Sequence, residues 1–143
     1  MQLNKPKFWD KKIGVISIII FPITLLYLAI IYFKKTFSRV KSFKTPIICV
    51  GNVYLGGTGK TPTSILLANE LQNLGKKPTI LRKFYNNHND EYDLIKNSFK
   101  NLILNKNRIA GILEAEKLGF DIVILDDGLQ DYRIHKTLSI VCF

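Results

Sequence analysis

The sequence has few of the side chains that hold transition metals or form disulfides: two cysteines and two histidines in 143 residues. Cys49 and Cys142 each lie within an apolar run, no Cys-x-x-Cys pair occurs, and His88 and His135 are isolated in sequence. This spacing excludes the usual zinc motifs. It predicts buried, reduced thiols and no metal bound by cysteine or histidine.

Acidic residues are also scarce, 11 against 21 lysines and arginines, so the formal net charge is +10. Such an excess suggests nucleic-acid binding, but residues 1–44 carry +8 of it and residues 45–143 only +2. The second part of the chain therefore lacks the basic face that a nucleic acid would need, and we predict no nucleic-acid partner. A hydrophobic content of 47% excludes a disordered chain and predicts one globular domain.

Residues 13–33 form a run of 21 residues without a charge. As a helix the run would extend about 31 Å, close to the thickness of a bilayer core. Lysines flank both ends and Pro22 lies in the middle, so a spanning helix, a kinked span and an in-plane anchor all remain open. A cleaved secretory signal is the competing interpretation, but the run is too long for one and no small-residue cleavage site follows it.

Residues 34–44 contain five basic residues and no acid. They are either a stop-transfer flank or a surface for anionic lipid head groups, and both interpretations place the following domain on the cytoplasmic side. We therefore predict a membrane anchor with basic flanks over residues 1–44 and a nucleotide-binding domain over residues 45–143, for the reasons that follow.

A glycine-rich loop lies between a predicted strand at 46–50 and a predicted helix at 61–75. Strand, glycine-rich loop and helix form the context of a phosphate-binding P-loop, in which backbone amides surround phosphate oxygens. Lys60 would reach the β- and γ-phosphates, and the Thr61 hydroxyl would bind Mg²⁺. A strict Walker A motif needs glycine where Tyr54 stands, so the motif is a variant; the alternative is an ordinary glycine turn with a solvated lysine. The residues predicted to bind the nucleotide are Tyr54, Leu55, Gly56, Gly57, Thr58, Gly59, Lys60 and Thr61.

Two aspartates, Asp126 and Asp127, directly follow a predicted buried strand at 122–125. This is the Walker B form, which predicts that Asp126 or Asp127 holds Mg²⁺ opposite Thr61. The alternative is that an acid merely ends the strand at an Asp-Gly turn.

Further strands are predicted at 78–81 and 138–143 and a helix at 107–118, whereas residues 84–93 look polar and turn-rich. The predicted fold is α/β, a P-loop NTPase-like parallel sheet of four strands with flanking helices, preceded by a membrane-associated helix. No predicted helix covers the last strand. We therefore expect either a small, poorly covered sheet or a domain that is incomplete at its C-terminus.

Several motifs occur together: GNVYLGGTGKTP at 51–62, Asp90-Glu91, RIA at 108–110 and DDGLQ at 126–130. In these motifs and their order, after an apolar N-terminal helix, the chain resembles the tetraacyldisaccharide 4'-kinase family, the lipid A 4'-kinases of Gram-negative bacteria. The resemblance extends over nearly the whole chain. The absence of glycine at the first position of the Walker A motif, where Tyr54 stands, is typical of that family.

The resemblance implies transfer of the γ-phosphate of ATP, with Mg²⁺, to the 4'-hydroxyl of a membrane-embedded acylated disaccharide. Lys60 and Thr61 would then hold phosphates and metal, Asp126 and Asp127 would support the metal, and Asp90 would match the base for the sugar hydroxyl. The implied partners are the acceptor lipid and the bilayer; the implied location is the bacterial inner membrane, with the nucleotide-binding domain on its cytoplasmic face.

The family usually has a Ser-Arg-Gly-Tyr-Gly type loop after the second strand, whereas this chain has LRKFYNN at 81–87. Family members also continue into a second lobe that supplies a histidine partner for the base. A second hypothesis therefore stands beside the kinase: a catalytically inactive remnant that keeps its membrane attachment and ATP binding.

Overall fold

A computed structural model describes residues 15–52, 59–86 and 89–143. The chain divides into two compact units, Met1–Ser38 and Arg39–Phe143. The predicted boundary at residue 45, between a membrane anchor and a nucleotide-binding domain, stays a prediction. Residues just before it contact the second unit, because Lys41 pairs with Ile134 in a parallel bridge and the amides of Lys44 and Thr45 donate to the side-chain oxygen Oε1 of Glu116 at 2.7 and 3.1 Å.

The helix α1 (Val15–Phe37) lies in the first unit and contains 23 residues. This length corresponds to about 34 Å. Its segment Ile20–Phe37 has a mean hydropathy of 1.5 and is not buried within the protein, so it is long and apolar enough to cross a membrane. Pro22 lies inside the helix, and Lys34 and Lys35 lie in its last turn. The predicted apolar helix is confirmed as a helix, while its membrane topology stays a prediction.

The second unit contains a five-stranded sheet with the strand order β3-β2-β4-β1-β5, in which every pairing is parallel. The predicted α/β class with a parallel sheet and flanking helices is confirmed. Its elements follow the order β1 (Ile47–Asn52), α2 (Lys60–Asn73), β2 (Pro78–Lys83), α3 (Asn89–Ser98), β3 (Leu102–Asn105), α4 (Arg108–Lys117), β4 (Ile122–Asp126) and β5 (Leu138–Cys142).

The prediction of four strands is wrong, because β3 and the helix before it were not recognised. The turn-rich segment 84–93 contains the start of α3, whose buried residues Tyr92 and Ile95 and the following Phe99 recur at helical spacing among polar neighbours. β3 has only four residues, so its alternation is too short to distinguish from a loop.

Two glycines and one asparagine lie at the ends of α2 and α4. Gly75 and Gly119 follow α2 and α4 with φ of 77° and 74°, a left-handed conformation that glycine adopts at no steric cost. Asn107 caps α4 by accepting a hydrogen bond from the Ile109 amide at 3.0 Å.

The core has one layer on each face of the sheet, because successive strand residues point to opposite faces. Ile80 and Ile124 pack on the face of α2 and α3, whereas Leu81 and Leu125 pack on the face of α4. Burying each such side chain stabilises the fold by about 1.5–3 kcal/mol. The buried residues of α2, Ser64 and Ala68, are small, which lets the helix approach the carboxyl ends of the central strands closely.

Candidate active site

Asp126, the last residue of β4, lies at the centre of the polar cluster at the carboxyl edge of the sheet. It is 1% exposed. The Thr61 hydroxyl donates to its Oδ2 at 3.2 Å, and the Ser64 hydroxyl donates to its Oδ1 at 3.2 Å. Both donors lie on α2, so the helix after the glycine-rich loop stabilises a carboxylate that would otherwise be costly to bury.

Arg82 supplies the opposite charge. It pairs in register with Asp126 across β2 and β4, and residues opposite each other on neighbouring strands project to the same face. Its Nη1 donates to Asp126 Oδ2 at 2.5 Å and to Thr61 Oγ1 at 3.0 Å, while Nη2 forms an ion pair with Glu91. The guanidinium also lies over the Tyr92 ring, 5.9 Å from its centroid.

Lys60 is the first residue of α2, and its ammonium group lies between two oxygen acceptors. Nζ donates to Asn52 Oδ1 at 2.9 Å and lies 3.4 Å from Asp127 Oδ1. The Asp127 side chain is 62% exposed, in contrast to buried Asp126. The two adjacent aspartates therefore differ, one facing α2 in the interior and the other facing solvent beside Lys60.

A tight turn places Asp127 there. Asp127 has a φ of 61°, which is unusual for a residue other than glycine, and its amide donates to the Val50 carbonyl at 2.9 Å. The Asp127 carbonyl accepts from Arg108 Nη2 at 2.6 Å. A Cβ on Gly128 would lie 2.9 Å from Leu125 Cβ and 3.1 Å from Cys49 Sγ, so a side chain at that position would force these neighbours to shift.

At the N-terminus of α2, Gly59 has a φ of 75° and its carbonyl accepts from the Thr63 amide at 2.9 Å. The positive end of the helix dipole and its first amides thus lie beside Lys60, an arrangement that favours an anion. Tyr54, Leu55, Gly56, Gly57 and Thr58 lie outside the described residues, so their predicted contacts with a nucleotide stay predictions.

A cavity of about 260 Å³ lies on the α4 side of this edge. Asp131, 8% exposed, accepts from Arg133 Nε and Nη2, both at 2.9 Å, and lies 3.9 Å from Arg108 Nη1. The hydrogen bond from Arg133 lowers the pKa of Asp131, and the same contact raises the pKa of Arg133. Within the described residues, the buried Nε of Arg108 has no hydrogen-bond partner. The cavity is basic overall, being lined by Lys83, Lys106, Asn107, Arg108, Asp131 and Arg133.

The structure brings Lys60, Thr61, Asp126 and Asp127 together, as their motifs predict. Asp90 lies exposed in the first turn of α3, and its neighbour Glu91 contacts Arg82. Sequence reasoning did not assign site roles to Arg82, Glu91, Asn52 or Ser64. The position of Arg82 at the carboxyl end of a predicted strand was a usable signal, because this is the edge where α/β proteins bind ligands.

The donor set of Thr61 Oγ1 and the Asp126 carboxylate suits Mg²⁺, which binds oxygen ligands and often takes only one or two from protein. In residues 15–52, 59–86 and 89–143, no group of three or more His, Cys, Asp or Glu side chains could hold a metal. Cys49 is buried, as expected, and burial raises the pKa of its thiol, whereas Cys142 is half-buried.

Comparison with known proteins agrees with this geometry. The profile of the LpxK family, described as tetraacyldisaccharide-1-P 4'-kinase, matches residues 16–143. The tetraacyldisaccharide 4'-kinase of Pelagibacter ubique is 41% identical over 146 residues, covering 100% of this chain and 45% of that protein. The enzyme of the same name from Aliarcobacter butzleri is 37% identical over 149 residues, covering 92% of this chain and 46% of that protein.

Among solved structures, the "apo" form of LpxK from Aquifex aeolicus in complex with ATP is 29% identical, with a TM-score of 0.68 over 85% of this chain and 47% of that one. The chain thus spans a little under half the length of these relatives. By the extent of the profile match and the Walker-type geometry, the chain belongs to the tetraacyldisaccharide 4'-kinase (LpxK) family.

Proposed function

We propose that this chain binds ATP with Mg²⁺ and carries the nucleotide-binding half of a lipid kinase. The kinase would transfer the γ-phosphate of ATP to the 4'-hydroxyl of a tetraacyldisaccharide 1-phosphate in lipid A biosynthesis. The observation that carries the proposal is the convergence of Lys60 and Thr61 on Asp126 and Asp127 at one edge of the sheet. The ATP in the related Aquifex aeolicus structure supports the choice of nucleotide.

Each residue has a defined task in this proposal. Lys60 leaves Asp127 and Asn52 to neutralise the β- and γ-phosphates, and the amides at the start of α2 contribute further positive potential. Thr61 and Asp126 would hold Mg²⁺, and the bound ion would neutralise charge on the phosphate oxygens. Asp127 lies on the exposed side, where it orients Lys60 and supports the metal.

Asp90 is proposed as the base for the acceptor. It would accept the proton of the 4'-hydroxyl as that oxygen bonds to the γ-phosphorus, and the bond from that phosphorus to the β–γ bridging oxygen would break to release ADP. Its exposed position in the first turn of α3 leaves it accessible to an acceptor, and phosphoryl transfer needs mainly positioning and charge neutralisation from the protein.

The apolar helix α1 supports a membrane acceptor, because a lipid in the bilayer is reached most directly by an enzyme attached to that bilayer. We place the chain at the bacterial inner membrane with the nucleotide-binding unit on the cytoplasmic face. The basic residues Lys34 and Lys35 at the end of α1 favour this orientation.

A second candidate is a catalytically inactive chain that keeps its membrane attachment and ATP binding. The observation that favours it is the segment LRKFYNN at 81–87, which stands where the family usually has a Ser-Arg-Gly-Tyr-Gly type loop. The two candidates agree on nucleotide binding and differ on transfer.

Nucleotide binding is tested by thermal or denaturant unfolding with and without Mg²⁺ and ATP. At 100 times the Kd, ATP should add about 2.7 kcal/mol to the free energy of unfolding, and Lys60→Ala should remove most of this gain. Lys76→Ala is the matched control, because Lys76 is an exposed lysine beyond the other end of α2. Equal stabilisation of the Lys60→Ala variant and the parent would refute binding through this loop.

Transfer is tested with γ-labelled ATP and an acylated glucosamine disaccharide 1-phosphate in membranes that contain this chain. Asp90→Asn should lower the rate by about 10²–10⁴-fold if Asp90 is the base. Asp93→Asn, on the same helix and also exposed, is the control. ATP binding without any transfer by the parent would support the inactive candidate.

A further inference from the structure

The guanidinium of Arg82 lies between the two side chains proposed to hold the metal. Its Nη1 is 2.5 Å from Asp126 Oδ2 and 3.0 Å from Thr61 Oγ1, so one nitrogen contacts an oxygen of each proposed ligand. Asp126 is buried and its other oxygen accepts from Ser64. Arg82 Nη1 therefore donates to Asp126 Oδ2, the same carboxylate oxygen that accepts the hydrogen bond from the Thr61 hydroxyl.

A metal ion cannot share that position with the guanidinium. Mg²⁺ requires its oxygen ligands at about 2.0–2.1 Å in near-octahedral geometry. An arginine nitrogen in contact with both ligand oxygens fills this space, and two cations at such short range repel each other. For Thr61 and Asp126 to bind the metal together, Nη1 has to leave them.

The surroundings of Arg82 give it another anchor. Its Nη2 forms an ion pair with Glu91 on α3, and the Glu91 side chain is 47% exposed. The Tyr92 ring lies beneath the guanidinium. Glu91 and Tyr92 belong to α3, whereas Asp126 and Thr61 belong to β4 and α2, so Arg82 can lose its contacts with the second pair and keep those with the first.

We propose that Arg82 and Mg²⁺ compete for Asp126, and that Arg82 is a positioning residue that keeps this buried carboxylate paired until the metal arrives with the nucleotide. The inference rests on the metal ligands of the proposed function. It adds that Mg²⁺ without nucleotide binds weakly, because the ion has to displace the Arg82 guanidinium from Asp126. The complex of Mg²⁺ with the nucleotide also brings phosphate oxygens, which can replace Asp126 as the anionic partner of the guanidinium.

The test is Mn²⁺ binding to the nucleotide-free protein, followed by electron paramagnetic resonance. We expect Arg82→Gln to bind Mn²⁺ about tenfold more tightly than the parent, or more, because a competing positive charge is removed. Lys83→Gln is the control; it removes the same charge from the next residue of β2, on the other face of the sheet, and should change the affinity little. A merely structural Arg82 would leave the affinity unchanged or lower it in the Arg82→Gln variant, and either result would overturn the inference.

The double variant Arg82→Gln, Asp126→Asn identifies the ligand. If the gained Mn²⁺ affinity disappears in it, the metal binds at Asp126 and the competition holds. If the gain persists, Mn²⁺ binds elsewhere and the inference is wrong. If the parent binds Mn²⁺ with ATP normally and Arg82→Gln gains nothing without ATP, the competition fails while the proposed function stands.

A measurement on the parent protein covers the case in which Arg82→Gln does not fold. The chain has four arginines, Arg39, Arg82, Arg108 and Arg133, so the Nε–H signals of ¹⁵N-arginine can be assigned by substitution. We expect the Arg82 signal to shift when Mg²⁺ and ATP saturate the protein and the Arg39 signal to stay. An unmoved Arg82 signal under saturation would overturn the inference.

Discussion

Asp126 and Asp131 are both buried aspartates paired with arginine at the same edge of the sheet, but their partners come from different distances along the chain. Asp131 is held by Arg133, two residues later, and lies against the basic cavity on the α4 side. Asp126, on β4, accepts hydrogen bonds from Thr61 and Ser64 on α2 and from Arg82 on β2.

The difference separates a local contact from one that depends on the whole fold. The Asp131–Arg133 pair can form within one turn, so it stabilises that turn directly. The Asp126 cluster forms only when β2 lies beside β4 and α2 packs on both. We therefore expect substitutions at Asp126 to affect folding and ligand binding together, and substitutions at Asp131 to affect mainly stability.

The largest effect is expected for Asp126→Asn. Removing the charge leaves the largely buried Arg82 with one anionic partner fewer, so the free energy of unfolding should fall by about 3 kcal/mol. Metal-dependent ATP binding should be lost as well. Urea unfolding and nucleotide titration measure the two effects, with Asp93→Asn as an exposed control. If the variant kept both its stability and its metal-dependent ATP binding, Asp126 would not belong to the site.

A smaller effect is expected for Gly128→Ala, which changes the turn that follows Asp127 and lies between Asp126 and Asp131. The added Cβ would meet Leu125 Cβ at 2.9 Å and Cys49 Sγ at 3.1 Å, so the core has to shift. We expect a loss of about 2 kcal/mol in denaturant unfolding. Gly75→Ala is the comparison, since its Cβ would meet nothing within 4 Å and only its positive φ costs energy. Unchanged stability of the Gly128→Ala variant would mean that packing at Gly128 contributes nothing.

The smallest effect, and the one that depends on pH, is expected for Asp131→Asn. Arg133 lowers the pKa of Asp131 below its ordinary value of 3.8, so the carboxylate stabilises the folded protein at pH above that value. We expect the variant to lose about 1 kcal/mol at neutral pH.

As pH falls below about 4, Asp131 becomes protonated in the unfolded chain first and then in the folded one, so the difference between parent and variant should shrink. Unfolding curves at a series of pH values measure this. A difference that grows as the pH falls would contradict the assignment of the stabilisation to the ionised carboxylate.

The sequence predicted the elements that carry strong local signals. The apolar runs at β1, β2 and β4 and the helices α2 and α4 all appear where the sequence predicts them. α3 and β3 were missed because one is polar over most of its surface and the other is only four residues long.

The site was predictable at its motifs and not at its long-range partners. Lys60, Thr61, Asp126 and Asp127 have recognisable neighbours in sequence, whereas Arg82 joins them only because β2 pairs with β4. Strand order is a property of the whole sheet, and no local pattern around Arg82 specifies it. The conformation of Asp127, with its positive φ, is likewise fixed by contacts with Val50 and Arg108 from other elements.

The thiols of Cys49 and Cys142 offer an intrinsic probe of local opening of the sheet. Cys49 is fully buried on the interior strand β1, whereas Cys142 is half-buried on the neighbouring edge strand β5. An accessible thiolate is the nucleophile that attacks an alkylating reagent, and burial raises the pKa of the Cys49 thiol, so the two positions should react at very different rates. Alkylation of Cys142 would then report fraying of the sheet edge, and alkylation of Cys49 would report opening of the sheet interior at β1.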